Sequence, residues 1–177
     1  MKVVGFAGYS GAGKTTLVER MIPVFKQQGD RVSVVKHAHH RFDIDHPGKD
    51  TYRHREAGAF EVVVASDRRL ALIREFEQSI ELTVHDLIAE LDPGVDWVLV
   101  EGFKHADLPK IEVWRQAQAG DATRPLRYVD DSCVVGIATD VPQALPRPTS
   151  LPVFDVNDAG AVVRWLRDNP GRFAYNR

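Results

Sequence analysis

Apolar residues in this chain fall into short runs bounded by polar turns, alternating with stretches in which they recur every three or four positions. Val3-Val4-Gly5-Phe6-Ala7 reads as a strand, and Leu17, Val18, Met21, Ile22, Val24 and Phe25 follow at helical spacing until Gln27-Gln28-Gly29-Asp30 stops them. Val32, Val34 and Val35 form a β-branched run that predicts a second strand over 31–35. Asp50 then caps a short helix through Arg55, strands are predicted over 60–65 and within 69–76, and an amphipathic helix over 83–91 turns Leu87, Ile88 and Leu91 to the core. A hydrophobic strand ends at Glu101, an extra strand covers 110–115, and a late core strand covers 132–138. A Pro-rich surface loop over 141–152 precedes Val153 and Phe154, and Asp155-Val156-Asn157-Asp158 opens a last helix over 159–167. Strands alternating with helices predict a three-layer α/β domain with a mostly parallel sheet. Residues 103–130 leave that simple pattern and read as an insertion, whose strand near 109–116 is expected to pair between subunits.

At 177 residues the chain has the length of one domain, taken here as 1–177. A hydrophobic content of 44% with 27% charged residues is globular, and a formal charge of −2 offers no footprint for nucleic acid or an anionic membrane. No apolar stretch is long enough to span a bilayer, and nothing resembles a targeting segment, so a cytoplasmic location is expected. The single cysteine, Cys133, stands beside Val134 and Val135 and reads as a small buried hydrophobe rather than a nucleophile.

The chemistry is concentrated after the first strand. Gly8-Tyr9-Ser10-Gly11-Ala12-Gly13-Lys14-Thr15 fits the phosphate-loop pattern G-x-x-x-x-G-K-[ST] between a strand and a helix. Backbone N–H groups of such a loop, with the positive end of the helix dipole, form a nest for a triphosphate. Lys14 would reach the β- and γ-phosphates, and the Thr15 hydroxyl would ligate Mg²⁺. Trp97-Val98-Leu99-Val100-Glu101 fits a hydrophobic strand that presents a carboxylate to the metal. The polar segment 36–50 begins where the second strand ends, which in a parallel sheet is the ligand side. Its His37, His39, His40 and His46 with Asp43 and Asp45 leave three readings open: a Zn²⁺ or Ni²⁺ site, a solvated loop, or contacts to phosphate from Lys36, His37, Arg41, Lys49, Arg53 and Arg55. Asp45 is a candidate to position a water or to act as a carboxylate base. No N-K-x-D occurs to read guanine; Asp140, at the end of a core strand, is a candidate for that role or a turn residue before Pro142. Trp97 and Trp114 read as core or interface residues.

The phosphate loop, Lys36-His37-Ala38-His39-His40 with Phe42-Asp43-Ile44-Asp45, Gly48-Lys49-Asp50-Thr51 with Arg53-His54-Arg55, Ala57-Gly58-Ala59, Val100-Glu101-Gly102-Phe103-Lys104 and Pro109-Lys110-Ile111-Glu112-Val113 together resemble the MobB family of molybdopterin-guanine dinucleotide biosynthesis adapter proteins. The resemblance implies a P-loop homodimer that binds GTP and Mg²⁺ and hydrolyses GTP weakly. Its partner would be the guanylyltransferase that attaches GMP to molybdopterin, and molybdopterin itself is a possible ligand. Carried over, Gly11, Ala12, Gly13, Lys14, Thr15 and Thr16 bind GTP and Mg²⁺, and Glu101 sits at the metal. A small-molecule P-loop kinase and a metallochaperone GTPase are the alternatives.

Overall fold

The computed structural model describes residues 1–38, 42–116 and 124–176. In chain order its elements are β1 (Lys2–Ala7), α1 (Lys14–Gln27), β2 (Val32–Lys36), α2 (Asp50–Glu56), β3 (Glu61–Ala65), β4 (Leu70–Arg74), α3 (Val84–Ala89), β5 (Trp97–Glu101), β6 (Lys110–Trp114), α4 (Arg127–Asp130), β7 (Val134–Thr139), β8 (Val153–Asp155), α5 (Ala159–Asp168) and a closing 3-10 turn, Pro170–Phe173. They divide into two compact units, Met1–His37 with Thr83–Arg177, and Ala38–Leu82.

The larger unit is built on a six-stranded sheet in the order β2-β5-β1-β6-β7-β8, and every strand pairing in it is parallel. Its central strands are buried on both faces, which is why β1 and β5 read as near-continuous apolar runs. On one face Val4, Phe6, Trp97, Leu99, Ile111 and Val113 pack with Leu17, Met21 and Phe25 of α1 and Val162, Val163 and Leu166 of α5. On the other, Val3, Val98 and Val100 pack with Val84 and Ile88 of α3. This is the three-layer arrangement the sequence predicts. Thr83 and Asp86 form a capping box at the start of α3, and Asp158 accepts from the Ala161 N–H at the start of α5. Trp97 packs between Phe25 and Phe173 in the core.

Segment 109–116 corrects the expectation of an inserted strand between subunits. It is β6, hydrogen-bonded to β1 on one side and β7 on the other, with all five residues buried. Two charges inside it disguised a central strand. Lys110 Nζ donates to the Ala106 carbonyl at 2.7 Å and pairs with Asp131 at 3.1 Å. Glu112 accepts from the Arg127 and Tyr128 N–H groups at 3.0 and 2.7 Å, so its burial is matched by hydrogen bonds. Cys133 is half-buried rather than buried.

In the smaller unit β3 and β4 form a separate antiparallel hairpin, the extra strands of this fold. One face carries Val62, 9% exposed, opposite Ile73. The other presents Val63, Leu70 and Leu72 to solvent, at 56, 69 and 42% exposure.

Candidate phosphate and metal site

β1 delivers the chain at Ala7 into the glycine-rich loop, and α1 starts at Lys14. Gly13 precedes the helix with φ 98°, a left-handed conformation that glycine adopts without steric cost. Among the described residues no side chain caps this end, which leaves the N–H groups of the first turn for a ligand. Gly8 passes so close to β6 that a Cβ on it would lie 2.3 Å from the Val113 carbonyl oxygen.

Lys14 folds over its own loop, donating to the Gly8 and Tyr9 carbonyls at 3.0 and 2.8 Å. Burial lowers its pKa, the Glu101 charge opposes that shift, and the Lys36 charge adds to it. Glu101 is buried at the end of β5, next to β1 in the sheet. Its Oε1 accepts from the Thr15 hydroxyl at 2.5 Å. Lys36, in register with Glu101 across the β2/β5 pairing, brings Nζ to 3.3 Å from Glu101 Oε2 and 3.4 Å from Thr15 Oγ1. A hydroxyl and a carboxylate are the hard oxygen donors Mg²⁺ takes, and the ammonium beside them marks the spot as one that attracts a cation. The residues present therefore fit the metal.

The fold thus brings together Gly11, Ala12, Gly13, Lys14, Thr15, Thr16 and Glu101 at the carboxyl ends of β1 and β5, two central strands of the sheet. Asp140 follows β7, and its Oδ2 accepts from Arg115 Nη1 at 3.1 Å. Asp45 belongs to the smaller unit. Burial would raise its pKa, but hydrogen bonds from Thr51, the His46 N–H and Arg55 outweigh that and lower it. Arg55 is the hub there: its guanidinium pairs with Asp43, Asp45 and Glu75, and the hydrogen bonds it donates to these carboxylates, Asp43 first, raise its pKa above the ordinary arginine value. Of the histidine segment, His39, His40 and Arg41 lie outside the described residues. His37 packs against Phe103 with ring centroids 4.8 Å apart. Among the described residues no group of three or more His, Cys, Asp or Glu is placed to hold a metal.

Three residues beside the loop were not read from the sequence as parts of this site: Tyr9, named only within the loop pattern, Arg115, assigned only to the extra strand, and Arg124. Tyr9 donates its hydroxyl to the Arg115 carbonyl at 3.0 Å, and the Arg124 guanidinium lies 4.2 Å from the Tyr9 ring centroid. The signal was hidden because Arg115 adjoins the loop only if β6 lies beside β1.

A parallel sheet whose central first strand runs into a phosphate loop, with a carboxylate closing the neighbouring strand, defines a P-loop NTPase-like α/β protein. The family model described as "Molybdopterin guanine dinucleotide synthesis protein B" matches residues 3–140. The chain belongs to this family, MobB. It is 40% identical over 174 residues to the molybdopterin-guanine dinucleotide biosynthesis adapter protein of Escherichia coli (strain K12), covering 96% of this chain and 95% of that protein. A protein of the same description from Haemophilus influenzae is 41% identical over 169 residues, covering 93% and 89%. Among solved structures, a MobB protein homolog from Bacillus stearothermophilus aligns with a TM-score of 0.66 at 25% identity, covering 95% of this chain and 97% of the other. Bacillus subtilis MobB aligns with a TM-score of 0.68 at 24% identity, covering 99% and 100%. Membership places the chain in molybdopterin-guanine dinucleotide biosynthesis as an adapter. Among the described residues no helix is long and apolar enough to cross a membrane.

Proposed function

We propose that this chain binds GTP with Mg²⁺ in its phosphate loop and, as a cytoplasmic homodimer, assists the guanylyltransferase that attaches GMP to molybdopterin. The observation that carries the reading is the convergence of Lys14, Thr15 and Glu101 at the mouth of a loop whose helix end has no side-chain cap among the described residues. The loop N–H groups and the Lys14 ammonium would take the β- and γ-phosphates, with Lys14 exchanging the Gly8 and Tyr9 carbonyls for phosphate oxygens. Thr15 and Glu101 would hold Mg²⁺, which when bound supplies positive charge to the phosphates. Asp45, kept ionised by its hydrogen bonds, suits an acceptor that orients a water. Hydrolysis is slow on this reading, because the phosphate loop carries no glutamine to position a water. The homodimer is supported by the hairpin: a two-stranded sheet is marginal in water alone, and its Val63, Leu70 and Leu72 face asks for a cover that a second copy supplies.

Calorimetric titration with GTP and with ATP, each with Mg²⁺, tests nucleotide choice, with Lys14→Ala as control. GTP binding that is tighter than ATP binding and is lost in the control supports the proposal, and a preference for ATP overturns it. The adapter role is read by adding the protein to guanylyltransferase, molybdopterin and GTP: the intact chain raises dinucleotide yield and Lys14→Ala does not.

A further inference from the structure

Arg115 stands just beyond β6 and reaches back to the phosphate loop. Its Nε donates to the Ala12 carbonyl at 3.0 Å, and its guanidinium lies 3.4 Å from where a Cβ on Gly13 would stand. Its Nη1 donates to Asp140 Oδ2 at 3.1 Å, so the carboxylate at the end of β7 holds the guanidinium in place. Its own carbonyl accepts from the Tyr9 hydroxyl at 3.0 Å and from Arg124 Nη1 at 3.1 Å. The loop is therefore tied to β6 at Tyr9 and at Ala12.

The tie at Ala12 acts on a donor one atom pair away. In a planar trans peptide the carbonyl and the N–H point in opposite directions, so anchoring the Ala12 oxygen fixes the direction of the Gly13 N–H. Gly13, at φ 98°, has the freedom to let this peptide flip once the anchor is gone. A phosphate nest works only when its N–H groups already point inward, since ordering them on binding would be charged against affinity.

We propose that Arg115, held by Asp140, is a positioning residue of the phosphate loop that orients the Ala12–Gly13 peptide for a phosphate ligand, and that Asp140 serves this function rather than reading guanine. The inference rests on the nucleotide-binding reading for its consequence, though not for its structural content. Its chemistry is indifferent to the base: any nucleoside triphosphate gains equally from a preset loop.

The test uses the full chain with Arg115→Gln, Asp140→Ala and the double variant, plus Arg115→Ala to remove the stem. Hydrogen exchange of the nucleotide-free proteins comes first. The Ala12 amide, which donates to the Tyr9 carbonyl at 3.3 Å, exchanges at least about tenfold faster in Arg115→Gln, as loss of a charge-assisted hydrogen bond implies, while amides of β1, β5 and β6 keep their protection. Titration then shows GTP and ATP affinities falling by the same factor, on the order of tenfold, with their ratio unchanged. The double variant is no worse than Arg115→Gln alone, because both changes cut one tie. Unchanged exchange at Ala12 in both Arg115 variants overturns the proposal. So does an Asp140→Ala protein that shifts the GTP-to-ATP ratio while Arg115→Gln does not, since the carboxylate would then be reading the base. Should the unmodified chain bind no nucleotide, the functional reading fails, and the exchange experiment still decides whether the tie orders the loop.

Discussion

Replacing Gly8 by Ala places a methyl group against a part of the sheet that has nowhere to go. The added Cβ would stand 2.3 Å from the Val113 carbonyl oxygen and 3.3 Å from its carbon, and both atoms are backbone. Val113 belongs to β6, which is hydrogen-bonded to β1 and β7, so relief requires moving either the strand or the loop. Crowding of this kind costs about 1–3 kcal/mol, and forcing a non-glycine residue into the Gly8 conformation, at φ 154°, adds about 1–3 kcal/mol. Together these remove about 2–6 kcal/mol from a domain whose whole stability is on the order of 5–15 kcal/mol. Gly11 supplies the internal control: its φ is 79° but no atom of the described residues lies within 4 Å of an added Cβ, so Gly11→Ala costs only about 1–2 kcal/mol for the left-handed backbone. Urea unfolding followed by tryptophan fluorescence, with GTP titration of the folded fraction, measures both effects. Gly8→Ala should be the less stable variant and should bind nucleotide more weakly. A Gly8→Ala protein within about 1 kcal/mol of the parent, or less perturbed than Gly11→Ala, would refute the reasoning.

Glu112 gives a pH prediction. Burial raises its carboxyl above the ordinary 4.5, so between that value and the raised one the folded chain keeps a proton that the unfolded chain has released. Stability contributed by this group is present below 4.5 and falls as pH rises through the window, and Glu112→Gln removes this slope from a series of urea titrations; a slope that is unchanged, or opposite in sign, sinks the assignment. Arg55→Ala leaves Asp43, Asp45 and Glu75 without their shared cation, and limited proteolysis should then cut first within 42–82. Arg55→Lys should not restore resistance, because one ammonium cannot reproduce the guanidinium's three carboxylate contacts. Val63→Lys with Leu72→Lys should leave secondary structure intact and convert a dimer into monomer by sedimentation velocity; a mass that does not change removes the hairpin face from the interface.

Most of the framework was legible because it depends on local signals. The phosphate loop, β1, α1 and the strand ending in Glu101 follow from short apolar runs and one motif, and the boundaries of α5 follow from its Asp158 cap. β6 was misread because Lys110 and Glu112 look like surface charges until their partners, Asp131 and the Arg127 and Tyr128 amides, are known. Those partners lie 15 to 21 positions away, beyond any local pattern. The same error hid Arg115, since its proximity to Ala12 spans 103 positions and exists only through the β1/β6 pairing. Exposure of the hairpin was equally unreadable: Val63 and Leu72 have the composition of a core strand, and pairing alone does not say which face is covered.

The pairing of β1 also sets a timetable for synthesis. The first strand made, Lys2–Ala7, finds its neighbours only at Trp97–Glu101 and Lys110–Glu112. On a ribosome adding roughly 5–20 residues each second, the stretch that becomes the phosphate loop must wait several seconds, without the strands that anchor it, for β6 to emerge. The hairpin and α2, whose pairings are short in sequence, are complete well before then. A nascent chain arrested before residue 110 should therefore carry every residue of the hairpin and an apolar first strand still open to chaperones, and ligand capture begins only once the centre of the sheet has closed.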